Sequence, residues 1–321
     1  MDKELIMTEL IHETLGHYPI GNPQIEFIRH NENVTYKVTD LATGKVFVVR
    51  IHQPNVNFSL ELLGIRQHSA AALQSELDLI ETLALHTDIA MQVPLANRDG
   101  TYVTMLADGT PATVLSWVAG ETIEHAEITS DILCSVGWMV GKMHAHFAET
   151  ASHRVYERYV YDQSLVDRIR CKVDRLFSGK MLDESHYAVL LAALAEIRVR
   201  MTELDGVVGS YGLVHSDLAK SNLILHHDGI VPIDFSLSGY SHFYMDIGSL
   251  YAHFTQPDEQ ALLKNCYERI TGRRLDRRYI EPFVAMQVLL FLISSYERIY
   301  QLDWFTAALD RWCAVHFKPL T

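Results

Sequence analysis

Residues 213–235 read Leu-Val-His-Ser-Asp-Leu-Ala-Lys-Ser-Asn-Leu-Ile-Leu-His-His-Asp-Gly-Ile-Val-Pro-Ile-Asp-Phe. Two short apolar runs, Leu223 to Leu225 and Ile230 to Ile233, flank His226-His-Asp-Gly229, and Asp-Gly between such runs is a strong hairpin-turn signal. A hairpin returns its two ends to one place. Asn222, just before the first run, and Asp234, just after the second, are therefore expected side by side with their oxygens toward a common magnesium ion, a hard cation that takes oxygen ligands. His215-x-Asp217-x4-Asn222 adds a candidate base one short loop upstream. Transfer of a γ-phosphoryl group asks little covalent help of a protein: the attacking hydroxyl must be positioned and the phosphate charge neutralised. Asp217, Asn222 and Asp234 offer the oxygens for both tasks. His215 is expected to brace the loop through a backbone hydrogen bond rather than act as the base.

With these residues, the segment resembles the aminoglycoside phosphotransferase and choline kinase group, small-molecule kinases that share the two-lobed protein-kinase-like fold; the resemblance runs through most of the chain. It implies an α+β protein: a small N-lobe with an antiparallel sheet over residues 1–116 and a larger, mainly helical C-lobe over residues 117–321. It also implies a magnesium-dependent kinase that moves the γ-phosphoryl group of ATP, or of GTP, to an alcohol group. Asp217 would be the catalytic base, and Asn222 and Asp234, the latter within Ile233-Asp234-Phe235, the metal ligands. Tyr244-Met-Asp246 is similar to the family's acidic helix start, whose role is structural.

Upstream, the stretches from Glu32 to Val38 and from Lys45 to Ile51 alternate in strand fashion around a Thr43-Gly44 turn and look like the family's nucleotide-covering hairpin. Where many kinases place a lysine on the following strand, this chain has Arg50. A guanidinium grips phosphate oxygens bidentately and stays charged at any working pH. Its expected partner is Glu76, in a helical stretch from Ser69 to Leu83 whose Leu73, Leu77 and Ile80 share one face. Thr113 to Val118 reads as an apolar strand ending at Ala-Gly120, a natural hinge. By resemblance, the backbone at Ser116 and Val118 is expected to hydrogen-bond an adenine edge.

The chain departs from the family pattern in two places. The turn His30-Asn-Glu-Asn33 has no glycine, so it is neither a Walker loop nor the Gly-rich loop of protein kinases; phosphate covering falls to Asn33 or to backbone amides. In the catalytic loop, Ser216, Ala219, Lys220 and Ser221 stand where relatives often carry Gly, His, Pro and Gly. Lys220 is a second catalytic candidate, placed to neutralise γ-phosphate charge. These departures keep open a nucleotide-binding regulator without catalysis. A Ser/Thr protein kinase of the stress-response type is a further alternative, because Val49 to Pro54 and Gln74 to Asp78 look like a branch holding homoserine-kinase-like and stress-response kinases. The lack of an Ala-Pro-Glu segment after Asp234 speaks against it.

A chain of 321 residues suits two lobes. Its formal charge of −13 argues against nucleic acid and anionic membranes as partners. The four cysteines form no Cys-x-x-Cys pair, which implies neither zinc nor a disulfide framework and fits a reducing cytoplasm. The first residues read as an amphipathic helix rather than a signal peptide, and the apolar run Met286 to Ile293 is too short to cross a bilayer. His144-x-His146 on a helix and His226-His227 in a hairpin are expected to face apart rather than share a metal. Helices are expected at 131–147, 162–177, 186–203, 246–254, 257–271, 278–300 and 304–316. The last two carry Tyr296, Glu297, Tyr300, Asp303, Trp304 and Trp312, a set that reads as core or, alternatively, as a seat for an amine. The expected partners are a nucleotide and a small, amine-bearing hydroxyl substrate of the homoserine, amino alcohol or aminoglycoside type, bound by a monomer or homodimer.

Overall fold

The computed structural model describes residues 3–30, 33–53, 61–63, 69–150 and 155–320. Helix α1 (Lys3–Gly16) leads into strands β1 (Pro23–His30), β2 (Val34–Asp40) and β3 (Val46–Ile51), followed by helix α2 (Ala70–His86) and strands β4 (Val103–Met105) and β5 (Pro111–Ser116). The five strands form one antiparallel sheet in the order β1-β2-β3-β5-β4. Strict alternation in β2 explains its packing. Val34, Tyr36 and Val38 are buried with Leu10, Ile11 and Leu15 of α1, while Thr35, Lys37 and Thr39 between them are only half-buried. Strand β3 lies between β2 and β5, and Phe47 to Ile51 are buried on both of its faces. Val49 and Ile51 join the α1 side, which leaves Val48 and Arg50 on the opposite face.

The rest of the chain is mainly helical. Strand β6 (Glu121–Thr122) comes first; then α3 (Ser130–Thr150), β7 (Tyr159–Val160), α4 (Gln163–Ser178), α5 (Glu184–Asp205), β8 (Tyr211–Val214), β9 (Leu223–His226) and β10 (Gly229–Pro232). Strand β11 (Gly239–His242) and helices α6 (Tyr244–His253), α7 (Pro257–Thr271), α8 (Arg277–Ile299) and α9 (Phe305–Trp312) complete it. The α+β class with an antiparallel N-terminal sheet is as expected from the sequence. Aspartates 162, 183 and 276 open α4, α5 and α8 by accepting backbone N–H groups of the first turn, which fixes where these helices begin. The final expected helix is divided: α9 ends at Trp312, and the chain continues in a wider π-type turn over Cys313–Phe317.

The main core runs through α3, α5, α6 and α8 and takes in Leu77, Ile80 and Leu83 of α2. Helix α2 therefore ties the sheet to the helical part. Helix α8 is long and apolar enough to span a membrane by length and composition, but 67% of its apolar window is buried inside the molecule, as befits a central core helix. Between β5 and β6, Gly120 has φ of +139°, and a Cβ there would stand 2.3 Å from the Leu225 carbonyl oxygen. Only glycine fits, and its fit lets β6 pair with β9. Of the glycine-free turn between β1 and β2, Asn31 and Glu32 lie outside the described residues, as does Pro54 after β3.

Candidate active site

Strand β8 delivers the loop that begins at His215, and Asp246 at the start of α6 holds that loop from beneath. Fully buried, Asp246 accepts the His215 N–H at 3.0 Å and the Ser216 N–H at 2.6 Å, one on each oxygen. It also bonds His144 Nε2 at 2.9 Å, whose ring in turn meets the Tyr267 hydroxyl at 2.9 Å. Burial opposes the charge on Asp246, but the bond and charge of His144 and the nearby His215 outweigh it and hold the carboxyl below its ordinary range. Ser216 adopts φ of +71°, a left-handed conformation that a non-glycine residue holds only when its surroundings impose it. The His215 ring is occupied at both nitrogens: Nε2 donates to the Ile233 carbonyl at 3.0 Å and Nδ1 accepts the Asp217 N–H at 3.3 Å. It braces the loop and is not aimed at the reacting groups.

Asp217 and Asn222 are joined directly. The Asn222 Nδ2 donates to the Asp217 carbonyl at 3.0 Å and to its Oδ2 at 2.8 Å, so the amide oxygen is the atom Asn222 can offer a cation. The β9–β10 hairpin then does what its spacing predicts. Pro232 pairs with Leu223, and the Ile233 N–H donates to the Asn222 carbonyl at 2.9 Å, setting Asp234 beside Asn222. The turn itself is His227-Asp228, one residue ahead of Asp-Gly, with Gly229 opening β10 at φ of +120°. Asp234 is left-handed at φ of 65°, and Arg29 of β1 approaches its Oδ2 to 3.5 Å.

The two carboxylates are driven apart electrostatically. Burial pushes Asp217 above the ordinary carboxylate range, helped by the charge of Asp234 and opposed by His215. Burial acts on Asp234 too, but Arg50, the Ser236 hydroxyl and Arg29 overcome it and leave Asp234 below that range. Neighbouring acids with opposed pKa shifts suit different roles.

Arg50 extends from β3 to Glu76 of α2, Nη1 to Oε1 at 3.5 Å, with both side chains nearly buried. A second arginine, absent from the sequence reading, completes this arrangement. Arg158 lies 3.6 Å from the other Glu76 oxygen and donates to the carbonyls of Ala72 in α2 and of Phe235, Ser236 and Ser238 just past Asp234. Burial pushes the Glu76 carboxyl upward although Arg158 and then Arg50 pull it down. The faint sequence signal for Arg158 is a lone arginine among Tyr156, Tyr159 and Tyr161.

A cavity of about 470 Å³ opens over these groups. Asn33 and Arg50 border it on the sheet side, Asp217, Asn222 and Asp234 at its floor, and His253 with residues of α8 and α9 at its far end. Asn33 is fixed through His52 Nδ1 at 3.0 Å, whose Nε2 meets the Thr113 hydroxyl at 2.9 Å. Lys220 is not brought to the cavity: its Nζ rests 4.6 Å above the Phe254 ring. Ser116, at the end of β5, has its backbone engaged, the N–H donating to the Val93 carbonyl at 2.8 Å and the carbonyl accepting from Gln92 at 3.4 Å. Val118 instead packs with Ile224 and Val231 in a small apolar cluster. Of the six acidic and aromatic residues of the last helices, Trp312 alone borders the cavity; Tyr296 is core, donating to the Met181 carbonyl, and Glu297 pairs with Lys172 at 3.0 Å. The histidine pair differs from expectation. His226 and His227 have ring centroids 3.8 Å apart and, with Asp228, bring ligand atoms within 4.8 Å of one another, because His227 belongs to the turn rather than to the alternating strand.

The profile of the phosphotransferase enzyme family matches residues 24–278, a span that includes Arg50, Glu76, Asp217, Asn222 and Asp234. The chain belongs to the phosphotransferase enzyme family. No curated protein matches it. Among solved structures, a microcompartment-associated aminopropanol kinase is similar with a TM-score of 0.74 at 20% identity, over 96% of this chain and 94% of that one. Amicoumacin kinase in complex with AMP-PNP, Ca2+ and Ami is similar with a TM-score of 0.74 at 19% identity, over 99% and 96%. Spectinomycin phosphotransferase in complex with ADP and spectinomycin is similar with a TM-score of 0.61 at 12% identity, over 98% and 95%. These likenesses establish that the phosphotransferase family member described here has the kinase-like fold of those proteins.

Proposed function

We propose that this phosphotransferase transfers the γ-phosphoryl group of ATP to a hydroxyl of a small, amine-bearing metabolite. The observation that carries the reading is the bonded pair Asp217–Asn222 set beside Asp234 at one cavity that Arg50 also borders. Arg50, held by Glu76, grips α- and β-phosphate oxygens, and Asn33 covers the phosphates from the sheet side. The adenine edge bonds the Val118 backbone, with the base lying against the apolar surface of Val118, Ile224 and Val231. The proposed division between lobes falls after Ser116, at this hinge.

Asp217 orients the acceptor hydroxyl and takes its proton as the oxygen bonds the γ-phosphorus; the bond from that phosphorus to the β–γ bridging oxygen breaks, and ADP leaves. The amide oxygen of Asn222 and the carboxylate of Asp234 are hard oxygen donors that fit magnesium. When bound, magnesium would neutralise charge that develops on the phosphates. A Ser/Thr protein acceptor and a catalytically silent regulator are the outcomes against which this reading is tested.

The test is magnesium-dependent ADP release with ATP and GTP across amino alcohols, homoserine, aminoglycosides and protein substrates, for the wild type and Asp217→Asn. Acceptor-dependent release that the variant loses, while calorimetry still detects AMP-PNP, supports the proposal. Full turnover by Asp217→Asn overturns it.

A further inference from the structure

We infer that the acceptor is a compact alcohol carrying a flat apolar or aromatic group and at most one amine, seated on Phe291 and Trp312, and not a polycationic sugar. This rests on the kinase reading of the site and deepens it. Beyond Asp217 the cavity is walled by α6, α8 and α9, with Ala252, Val288, Phe291 and Trp312 among the bordering residues. Phe291 is 52% exposed although its neighbours Leu289 and Leu292 on α8 are fully buried. Its ring meets Trp312 edge to face, centroids 5.9 Å apart at 79°, and Trp304, 48% exposed, packs edge-on against Trp312 from the outer side. Large aromatic rings left open at the end of a cavity present apolar area that a bound group of the same character covers.

The charges on this wall sharpen the assignment. Among the described residues bordering the cavity, Asp217 and Asp234 are the carboxylates, and the proposed chemistry occupies both. Arg29 and Arg50 are cations on the sheet side. Several ammonium groups would each need an anionic or carbonyl partner once removed from water, and the far wall offers few. The Gln287 amide nitrogen is taken by the carbonyls of Ser216 and Met245 at 3.0 and 3.2 Å, which leaves its carbonyl oxygen for one donor. One ammonium is also accommodated over the face of Phe291 or Trp312. The wall is preformed: at Gly248 a Cβ would stand 2.5 Å from the Phe283 backbone, so α6 and α8 meet at a separation that only glycine permits.

The test compares 2-amino-3-phenyl-1-propanol, 1-amino-2-propanol and kanamycin as acceptors for the intact enzyme. The phenyl compound is expected to give the highest kcat/KM and kanamycin the lowest. Phe291→Ala and Trp312→Ala are each expected to raise KM for the phenyl compound at least tenfold, with kcat and the KM for ATP nearly unchanged, and Phe291→Tyr to restore it. A preference for kanamycin, or an unchanged acceptor KM in both alanine variants, overturns the inference while leaving the kinase reading intact. If none of the three is turned over, calorimetry of the phenyl compound with AMP-PNP and magnesium present decides: binding weakened tenfold in the alanine variants supports the assignment, and no binding to the wild type overturns it. Binding without turnover of any acceptor counts against the kinase reading alone.

Discussion

At the level of single residues, the proposed base Asp217 must be ionised to take a proton, and burial beside Asp234 raises its pKa above the ordinary carboxylate range. Turnover is therefore expected to fall as pH drops through that raised value, earlier than for an exposed carboxylate, while Asp234, held low, stays charged. A pH profile of kcat flat into the ordinary carboxylate range would count against Asp217 as base. Asp217→Asn is expected to lower kcat by about 10²- to 10⁴-fold, the usual contribution of general-base catalysis. Asp246 makes a separate prediction about stability. Its folded pKa is depressed, so the stability it adds is present above the unfolded carboxylate pKa and disappears as pH falls through the folded one. Thermal melts between neutral and acid pH should show this loss in the wild type and a flatter profile in Asp246→Asn. Asp217, Asn222 and Asp234 were legible in sequence because a loop and a hairpin, both local, assemble them. Arg158 was not, since the carbonyls it binds lie 77 to 86 residues away in sequence.

At the level of elements, the junction of α2 with the segment after Asp234 depends on one guanidinium. Arg158→Lys keeps the charge but cannot span Glu76 and four carbonyls at once. It is expected to lower stability by about 1–3 kcal/mol, the range for leaving a buried acceptor without a donor, and to weaken AMP-PNP binding. Denaturant titration with calorimetry checks both, and wild-type values for each would refute the role. Gly248→Ala should cost about 1–3 kcal/mol through overpacking against Phe283, read as a lower melting temperature. Helix starts read at 162, 186 and 278 fall within two residues of those that Asp162, Asp183 and Asp276 cap. Strand β7 was not legible, because two residues make a strand only once β11 lies beside them, and the division of the last helix follows from packing of Cys313 and Phe317 into the core.

For the whole molecule, a nucleotide that binds only the folded state must stabilise it. AMP-PNP with magnesium at 100 times its Kd is expected to add about 2.7 kcal/mol, seen as a raised melting temperature, and EDTA to remove most of the gain if Asn222 and Asp234 act through the cation. Equal stabilisation with and without EDTA would refute that role. The kinase-like architecture was legible from the order of motifs along the chain. The proposed acceptor wall was legible only in part: Trp312 stood in a set that read as core or as a seat for an amine, whereas Phe291 reads as one residue of an apolar helical run until the helices are placed around the cavity. In protein kinases the corresponding helix swings to switch the enzyme on and off, since the lysine–glutamate pair must be in place for activity. Here α2 cannot swing without stripping Arg158 from Ala72 and Glu76, and the same guanidinium holds the chain that follows Asp234. Arg50's partner Glu76 and the chain after Asp234, the proposed phosphate grip and metal carboxylate, are thus tied to one guanidinium. A pivot of α2 would first have to break these bonds, so the expected lever on output is the supply of nucleotide and acceptor or the amount of protein.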